Sequence, residues 1–542
     1  MALSQEETEA LRKSLVECNL PLEERWRRAG EASPPRDEWH SFDRTPWNHP
    51  WMKPENIRHF ADFSAAKLSE LGALLGANGG RDKSQQRSWL RGKVDRLIGG
   101  SREVGQRFAF VGNMANVNYI RARPLRQRNV PVDLVLHPHD DFIFAQPGWE
   151  EFDGEVTDLG ADPKKALLEK ALPSWVHRHQ SEPNWEHIPF QLDKFAATPA
   201  QILLWPEYMQ YFPTLAALSC YDALLVSQFP YLGYFSGRPY LFGQIGGDIW
   251  FEASRNDSFG ILTRRAIAAS AAVLVSNPIT LAHARRYGLS NVLYVPWPLS
   301  EDDYSPGDAD DIRAEWRQQI GGEFFVFTSM RMDRHWKGAE HALEGFARFA
   351  SRAPSARLVV LGWGEDIEFA RSRMTQLGLQ DRVLFLPTVG KRRLVRYLRA
   401  ADLVIEQFVL GYYGASALEA MACGKPVIMR IEREQYDALI DVGAPPVLDA
   451  ESGTDVERHL YSLYEDRAKC RKAGEQAREW FIKAQSSERW AKTYTVLLEA
   501  LAAGIPLSFS GSPLLEPLSA DEQRYHASQL SSAPPFPNYV DP

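Results

Sequence analysis

The sequence predicts an α/β protein made of two Rossmann-like, doubly wound domains, and three features carry that expectation. From Arg107 onward, short apolar runs rich in β-branched and aromatic residues alternate with longer segments of helical period. Strands joined by helical crossovers, packed as parallel sheets, produce this pattern. The runs fall into two series on either side of 301–323, an acidic, turn-rich stretch whose large apolar residues are Tyr304, Ile312, Trp316 and Ile320. Length agrees, because 542 residues with 44% hydrophobic side chains exceed what a single core holds and divide into several units.

Residues 1–104, rich in Trp, Arg and Glu and broken at Ser33-Pro34-Pro35 and Gly79-Gly80, read as an N-terminal helical extension. The first domain, 105–299, takes its strands from RFAFVGN (107–113), VDLVLHP (132–138), ALLVSQ (223–228), AVLVSN (272–277) and VLYVPWP (292–298). Between Glu207 and Arg238 the only charge is Asp222, but Gln210, Pro213, Gln228 and Pro230 interrupt the apolar run. Buried strands and turns are expected there in place of a membrane-spanning helix. The stretch 301–323 reads as the inter-domain connection. The second domain, 300–484, takes strands from FFVFTSM (324–330), RLVVLGWG (357–364), RVLFLP (382–387), DLVIEQF (402–408) and PVIMRI (426–431). Between them Ala342, Phe346, Phe349 and Ala350, and then Leu394, Leu398 and Ala401, recur at three- to four-residue spacing, giving each helix an apolar face for its sheet. A helix follows over 485–505. Past Pro506 the chain is Ser- and Pro-rich, a composition that buries little core, so 506–542 reads as a tail.

Composition narrows the function. The 62 basic against 70 acidic side chains leave a net charge of −8, which disfavours nucleic acid as a partner. Cys18, Cys220, Cys423 and Cys470 form no C-x-x-C pair and no disulfide framework, and the opening MALSQEETEALRK has no basic segment before an apolar one. A cytoplasmic location is the expectation.

The segment 402–428 is the most informative. Its strand ends near Phe408, a loop with Gly411 and Gly414 follows, and a helix runs from Ala415 to Cys423 before the stop signal of Gly424 and Pro426. The amides of Gly414, Ala415 and Ser416 then open a helix, whose free N–H groups and positive dipole end suit a phosphate. Glu419, one turn further on, is placed to accept hydrogen bonds from ribose hydroxyls, with a solvated helix face as the competing reading. After the first strand of the second series come Arg331, a fork, and Lys337, a point charge, both suited to a diphosphate. Arg334 and His335 between them read as solvent-facing loop residues.

These segments, with Leu361 to Glu365, Tyr397 to Asp402 and Leu418 to Val427, resemble the donor domain of GT-B glycosyltransferases, more narrowly the retaining family 4, glycosyl transferases group 1. The first half resembles it more faintly, at Phe110-Val111-Gly112-Asn113, at Gln244 to Asp248 and at Val295-Pro296-Trp297-Pro298. The resemblance implies a hexosyltransferase-type enzyme that moves a sugar from a nucleotide-diphosphate sugar to an acceptor hydroxyl with retention, needing no metal and no cofactor beyond that substrate. The acceptor would be a saccharide, a lipid-linked molecule or a small molecule. By position, Asp248, Arg331 and Lys337 would be the catalytic groups; Arg331, Lys337, Gly414, Ala415, Ser416 and Glu419 would bind the donor; Gly112 and Asn113 would form the acceptor and diphosphate loop. The helix over 485–505 would cross back to the first domain. Three departures stand out: Gly411 replaces the first carboxylate of the family's Glu-x7-Glu pair, Ile245 replaces its His, and the step from Arg331 to Lys337 is one residue longer. Gly411 and Ile245 motivate one competing reading, a sugar-nucleotide-binding protein with impaired catalysis, and another GT-B activity such as a phosphorylase or nucleotide-sugar hydrolase is a further alternative.

Two clusters admit other uses. His137-Pro138-His139-Asp140-Asp141 offers ligands for a metal-dependent hydrolase. Arg121, Arg123, Arg126 and Arg128 suit an anionic membrane surface or a phosphorylated acceptor, with a solvated helix face as the plainer alternative.

Overall fold

The computed structural model describes residues 46–78, 106–137, 140, 143–156, 172–178, 211–218, 220–254 and 258–528. Its strands, in chain order, are β1 (Phe108–Val111), β2 (Val132–Leu136), β3 (Glu155–Val156), β4 (Val176–Arg178), β5 (Ala223–Val226), β6 (Tyr240–Gly243), β7 (Ala272–Val275), β8 (Val292–Tyr294), β9 (Phe324–Thr328), β10 (Ala356–Leu361), β11 (Val383–Leu386), β12 (Thr388–Val389), β13 (Leu403–Ile405), β14 (Val427–Met429) and β15 (Leu448–Asp449). Seven form a sheet ordered β4-β2-β1-β5-β6-β7-β8, and six form a second ordered β11-β10-β9-β13-β14-β15. The pairs within both are parallel. Each chain path runs outward from a central strand, returns, and continues the other way. That is the doubly wound order, with a switch point between β1 and β5 in one sheet and between β9 and β13 in the other. The four strands that flank these points, β1 and β5 in one sheet and β9 and β13 in the other, are buried and almost wholly apolar, as a sheet covered by helices on both faces requires.

The sheets are not joined by a linker alone. β12 pairs antiparallel with β3 of the first half, and the helix Pro54–Asn78 packs on both the helix Arg433–Leu439 and the helix Ser487–Ala502. The latter helix lies on the first domain: Trp490 meets Tyr294 edge-to-face at 5.9 Å, and the chain crosses beside the outgoing strand through the Leu299–Ser486 bridge.

Four expectations need correction. The stretch 301–323 holds the helix Asp310–Ile320, and its Trp316 is wholly buried against Phe325, Phe327 and Tyr397. The four-residue spacing of Ile312, Trp316 and Ile320 is a helix face, so the connection is shorter than it reads. The apolar run before Arg238 contributes the helices Phe212–Leu218 and Pro230–Ser236 around β5, the second opened by Pro230. The tail is partly docked. Arg285 is buried and pairs with Glu522 at 2.7 Å while donating to the carbonyls of Leu514 at 3.0 Å and Pro517 at 3.1 Å. One satisfied buried cation thereby anchors a segment that apolar content would leave loose. Lastly, the arginines of the helix Val117–Gln127 and its end are engaged by the protein: Arg121 is buried on Asn118 and Ser227, and the partly exposed Arg123, Arg126 and Arg128 pair with Asp303 at 2.8 Å, Asp133 at 3.9 Å and Glu488 at 2.7 Å. Neither a membrane patch nor a solvated face describes them. Among the described residues no helix is long and apolar enough to cross a membrane.

Candidate functional site

The loops leaving the C-terminal ends of both sheets meet across one cleft. Phe144 approaches Trp363 with ring centroids at 5.4 Å, Trp250 approaches Tyr412 at 5.7 Å, and Phe251 approaches Trp336 at 5.6 Å. In each pair one ring comes from each domain.

On the second-domain wall, the loops after β9 and β13 flank the switch point, where an open parallel sheet leaves a crevice for ligands. Asp333 shapes the first of them, accepting from the amides of His335 and Trp336 at 2.9 and 2.7 Å. Its other oxygen holds the Arg331 guanidinium at 2.7 Å, and Arg331 Nε has no hydrogen-bond partner among the described residues. Lys337 donates to the buried Gln407 side chain at 3.2 Å, and Gln407 in turn donates to the Tyr412 carbonyl. Burial and the Glu406 carboxylate push the Tyr412 phenol up, and the Arg331 cation opposes them. Arg331, Lys337 and the loop before Ala415 therefore converge.

The helix Ala415–Ala422 begins at Gly414 with no side-chain cap, and a Cβ on Gly414 would meet nothing within 4 Å. Residues 414–416 are half-buried while 417–422 are buried. The uncapped amides thus lie at the accessible end of the helix. Gly411 adopts φ +65°, and a Cβ there would lie 2.8 Å from Glu432 Cγ. A family-type carboxylate has no room at that position without rearrangement. Glu406, five residues earlier, is buried at the end of β13 and accepts from the Gln407 amide at 2.9 Å.

Glu419 is 1% exposed, which rules out the solvated-face reading, and it is ion-paired with Lys391. Beside them Glu150, from the first domain, accepts from Tyr304 Oη at 3.1 Å. Burial first, and Glu419 second among the raising causes, push the Glu150 carboxyl up to about 7, against the pull of Lys391. Burial pulls the Lys391 ammonium down, but Glu419 and Glu150 together hold it above its ordinary value. Lys391, Glu150 and Tyr304 escaped the sequence reading as site residues. One signal was available for Lys391, a cation at the first position of a helix, where the macrodipole opposes it unless carboxylates compensate.

The first-domain wall differs from expectation. Asp248 is 1% exposed and accepts from the amides of Ile245, Gly246 and Ile249 at 3.0, 3.1 and 2.8 Å. Burial raises its pKa to about 6 against those bonds. Its carboxylate shapes the turn at Gly246, φ +114°, and is not offered to a substrate. Asn113 is likewise committed: its side chain donates to Asn116 at 2.7 Å and to the Ala145 carbonyl at 2.6 Å, and accepts from the Tyr119 amide at 2.9 Å. Gly112 is required by its φ of +79° and by the Ser227 carbonyl, 2.6 Å from where a Cβ would be. Of the proposed metal cluster, Pro138, His139 and Asp141 lie outside the described residues. His137 stacks on Phe229 at 3.5 Å, Asp140 accepts from the amides of Asn113 and His137, and no metal-binding group of three His, Cys, Asp or Glu occurs among the described residues.

Solved structures share this architecture. The alignment covers 73% of this chain and the whole of Anabaena HepE, solved with UDP and glucose, at TM-score 0.52 and 16% identity. It covers 74% of this chain and the whole of sucrose-phosphate synthase from Thermosynechococcus elongatus, at TM-score 0.51 and 18% identity. The fold is GT-B.

Within the GT-B chain, residues 310–480 match the family model described as glycosyl transferases group 1. Mannosylfructose-phosphate synthase of Agrobacterium fabrum is 29% identical over 178 residues, 31% of this chain and 39% of that protein. D-inositol 3-phosphate glycosyltransferase of an Arthrobacter species is 28% identical over 201 residues, 36% of this chain and 46% of that protein. The matched part spans less than half the length of these curated relatives. All of the second-domain site residues named above except Tyr304, which lies before it, fall inside the family-matched segment.

Proposed function

We propose that this GT-B protein is a family 4-like glycosyltransferase that moves a sugar from a nucleotide-diphosphate donor to an acceptor hydroxyl, with retention and without an essential metal. One observation carries the reading: Lys337 reaches through Gln407 to the loop at Tyr412 that leads into the uncapped start of the helix Ala415–Ala422, and Arg331 lies near enough to act on Tyr412 of the same loop. A breaking glycosidic bond sends negative charge onto the departing diphosphate. Fixed cations and oriented amides aimed at that charge lower the barrier without reorganising, the task a divalent ion performs elsewhere. Arg331 and Lys337 serve as the catalytic cations in this scheme, with Gly414, Ala415 and Ser416 binding the same group through their amides. Glu419 takes the ribose. Gly112 and Asn113 shape the acceptor side, and Asp248 supports it by holding the Gly246 turn. The acceptor is a saccharide, lipid-linked or small molecule, and cytoplasmic placement fits a soluble nucleotide-sugar donor. The match of 310–480 to the glycosyl transferases group 1 model, together with the UDP complex of HepE, supports a nucleotide sugar as the first ligand to try.

The test is a thermal-shift panel of nucleotide sugars, followed by nucleoside-diphosphate release with and without chelator and by NMR of the product anomer. A shift, chelator-resistant release and a retained anomer are expected. Absence of a shift with every donor removes the proposal. A shift without turnover across acceptors assigns the protein to donor binding alone, and release to water or phosphate without a glycoside product assigns it to hydrolysis or phosphorolysis.

A further inference from the structure

We infer that Lys391 is a positioning residue of the donor site, fixing Glu419 for ribose recognition and making that recognition depend on the first domain through Glu150. The inference rests on the reading of Glu419 given above and goes beyond it.

Lys391 opens the helix Lys391–Ala400, where the dipole disfavours a cation, and its side chain is four-fifths buried. Such a cation persists only beside negative charge. Two carboxylates supply it. Glu419 Oε1 accepts from Lys391 Nζ, and Glu150 faces the pair across the domain boundary, itself held by Tyr304 and by Asn116 Nδ2 at 3.4 Å. The ammonium pins one oxygen of Glu419, which leaves Oε2, free of hydrogen bonds among the described residues, as the acceptor for a vicinal diol.

The position of Lys391 is itself set by the first domain. The Gly390 amide donates to the Gly154 carbonyl at 3.0 Å, the Arg392 amide donates to the Phe152 carbonyl at 3.2 Å, and Arg393 pairs with Asp153 at 3.1 Å. A Cβ on Gly390 would lie 2.3 Å from the Phe152 carbonyl oxygen, so the approach is as close as backbone allows. Any parting of the domains draws the start of this helix away from Glu150, and Lys391 with it.

The experiment is calorimetric titration of the full chain with the best-binding nucleoside diphosphate among UDP, GDP and ADP, and with its 2′,3′-dideoxy form. The wild type is expected to prefer the ribose form by about tenfold or more, as loss of a hydrogen bond to a charged group implies. Lys391→Met is expected to reduce that preference below about threefold while binding the dideoxy form as the wild type does. Lys391→Arg restores part of it. Glu150→Gln, which keeps the shape and removes the charge, gives an intermediate preference and serves should Lys391→Met fail to fold. A wild type with no ribose preference overturns the role of Glu419. A wild type with preference and a Lys391→Met or Glu150→Gln variant that keeps all of it overturns this inference alone.

Discussion

The two walls of the cleft use the same strand order and treat polar groups in opposite ways. On the first-domain wall the polar side chains are spent inside the protein: Asp248 on three amides, Asn113 on two donated bonds and one accepted. On the second-domain wall the Arg331 side chain is 39% exposed, and the helix after Gly414 keeps its first amides uncapped. A doubly wound sheet thus supplies a crevice in both domains, and the loops decide whether it is a shaped wall or a charged one.

The contrast breaks first at the charged wall. Arg331→Ala or Lys337→Ala should each weaken nucleoside-diphosphate binding by about 1.5–3 kcal/mol, the range of hydrogen bonds to charged groups. Calorimetry with unchanged affinity in both variants would sink the contrast. At the shaped wall, Asp248→Ala should instead cost stability, about 1–3 kcal/mol for the amides left unpaired, with a much smaller change in donor affinity than at Arg331. Chemical denaturation alongside the same titration separates the two, and a stable protein with lost donor binding would reverse the assignment. Gly112→Ala sharpens the point, since φ +79° and the Ser227 carbonyl oppose any side chain. A loss of about 1–2 kcal/mol in the unfolding free energy is expected.

The smallest effect lies at the seam. Glu150 has its carboxyl raised to about 7 from an ordinary value of 4.5. The folded state therefore binds more proton than the unfolded one between these values, so its contribution to stability is present below about 4.5 and is lost as pH rises through about 7. The slope should stay below the ~1.4 kcal/mol per pH unit of one full proton, because the charges of Lys391 and Glu419 act on the same carboxyl in opposite directions. Glu150→Gln should flatten this part of a pH–stability profile, and an unflattened profile would remove Glu150 as its source.

Legibility followed locality. The alternation of apolar runs predicted ten strands that the structure contains, because each is a short, mostly buried apolar stretch whose own composition announces it. β6 was missed since Tyr240–Gly243 is four residues ending in glycine, and β3 and β12, two residues each, exist only because they pair with one another. Trp316 was visible as an apolar residue but not as the buried centre of a helix, since the acidic residues around it lie on the solvent face. The anion-suited loops were legible because glycine, a helix start and neighbouring cations are all close in sequence. The Glu419–Lys391–Glu150–Tyr304 group was not, because its members lie on four separate segments and meet only when both domains are in place.

Sequence alone determined the two parallel sheets, the break between them and the positive, glycine-bearing loops at the second one, since periodicity and turn chemistry act over a few residues. Tertiary structure decided which of the named side chains remain available to a ligand. Asp248 and Asn113 proved to be occupied, and Glu419 proved to be held by a lysine whose place the other domain sets. Availability depends on what fills the space around a group, and that space is enclosed by segments remote in the chain.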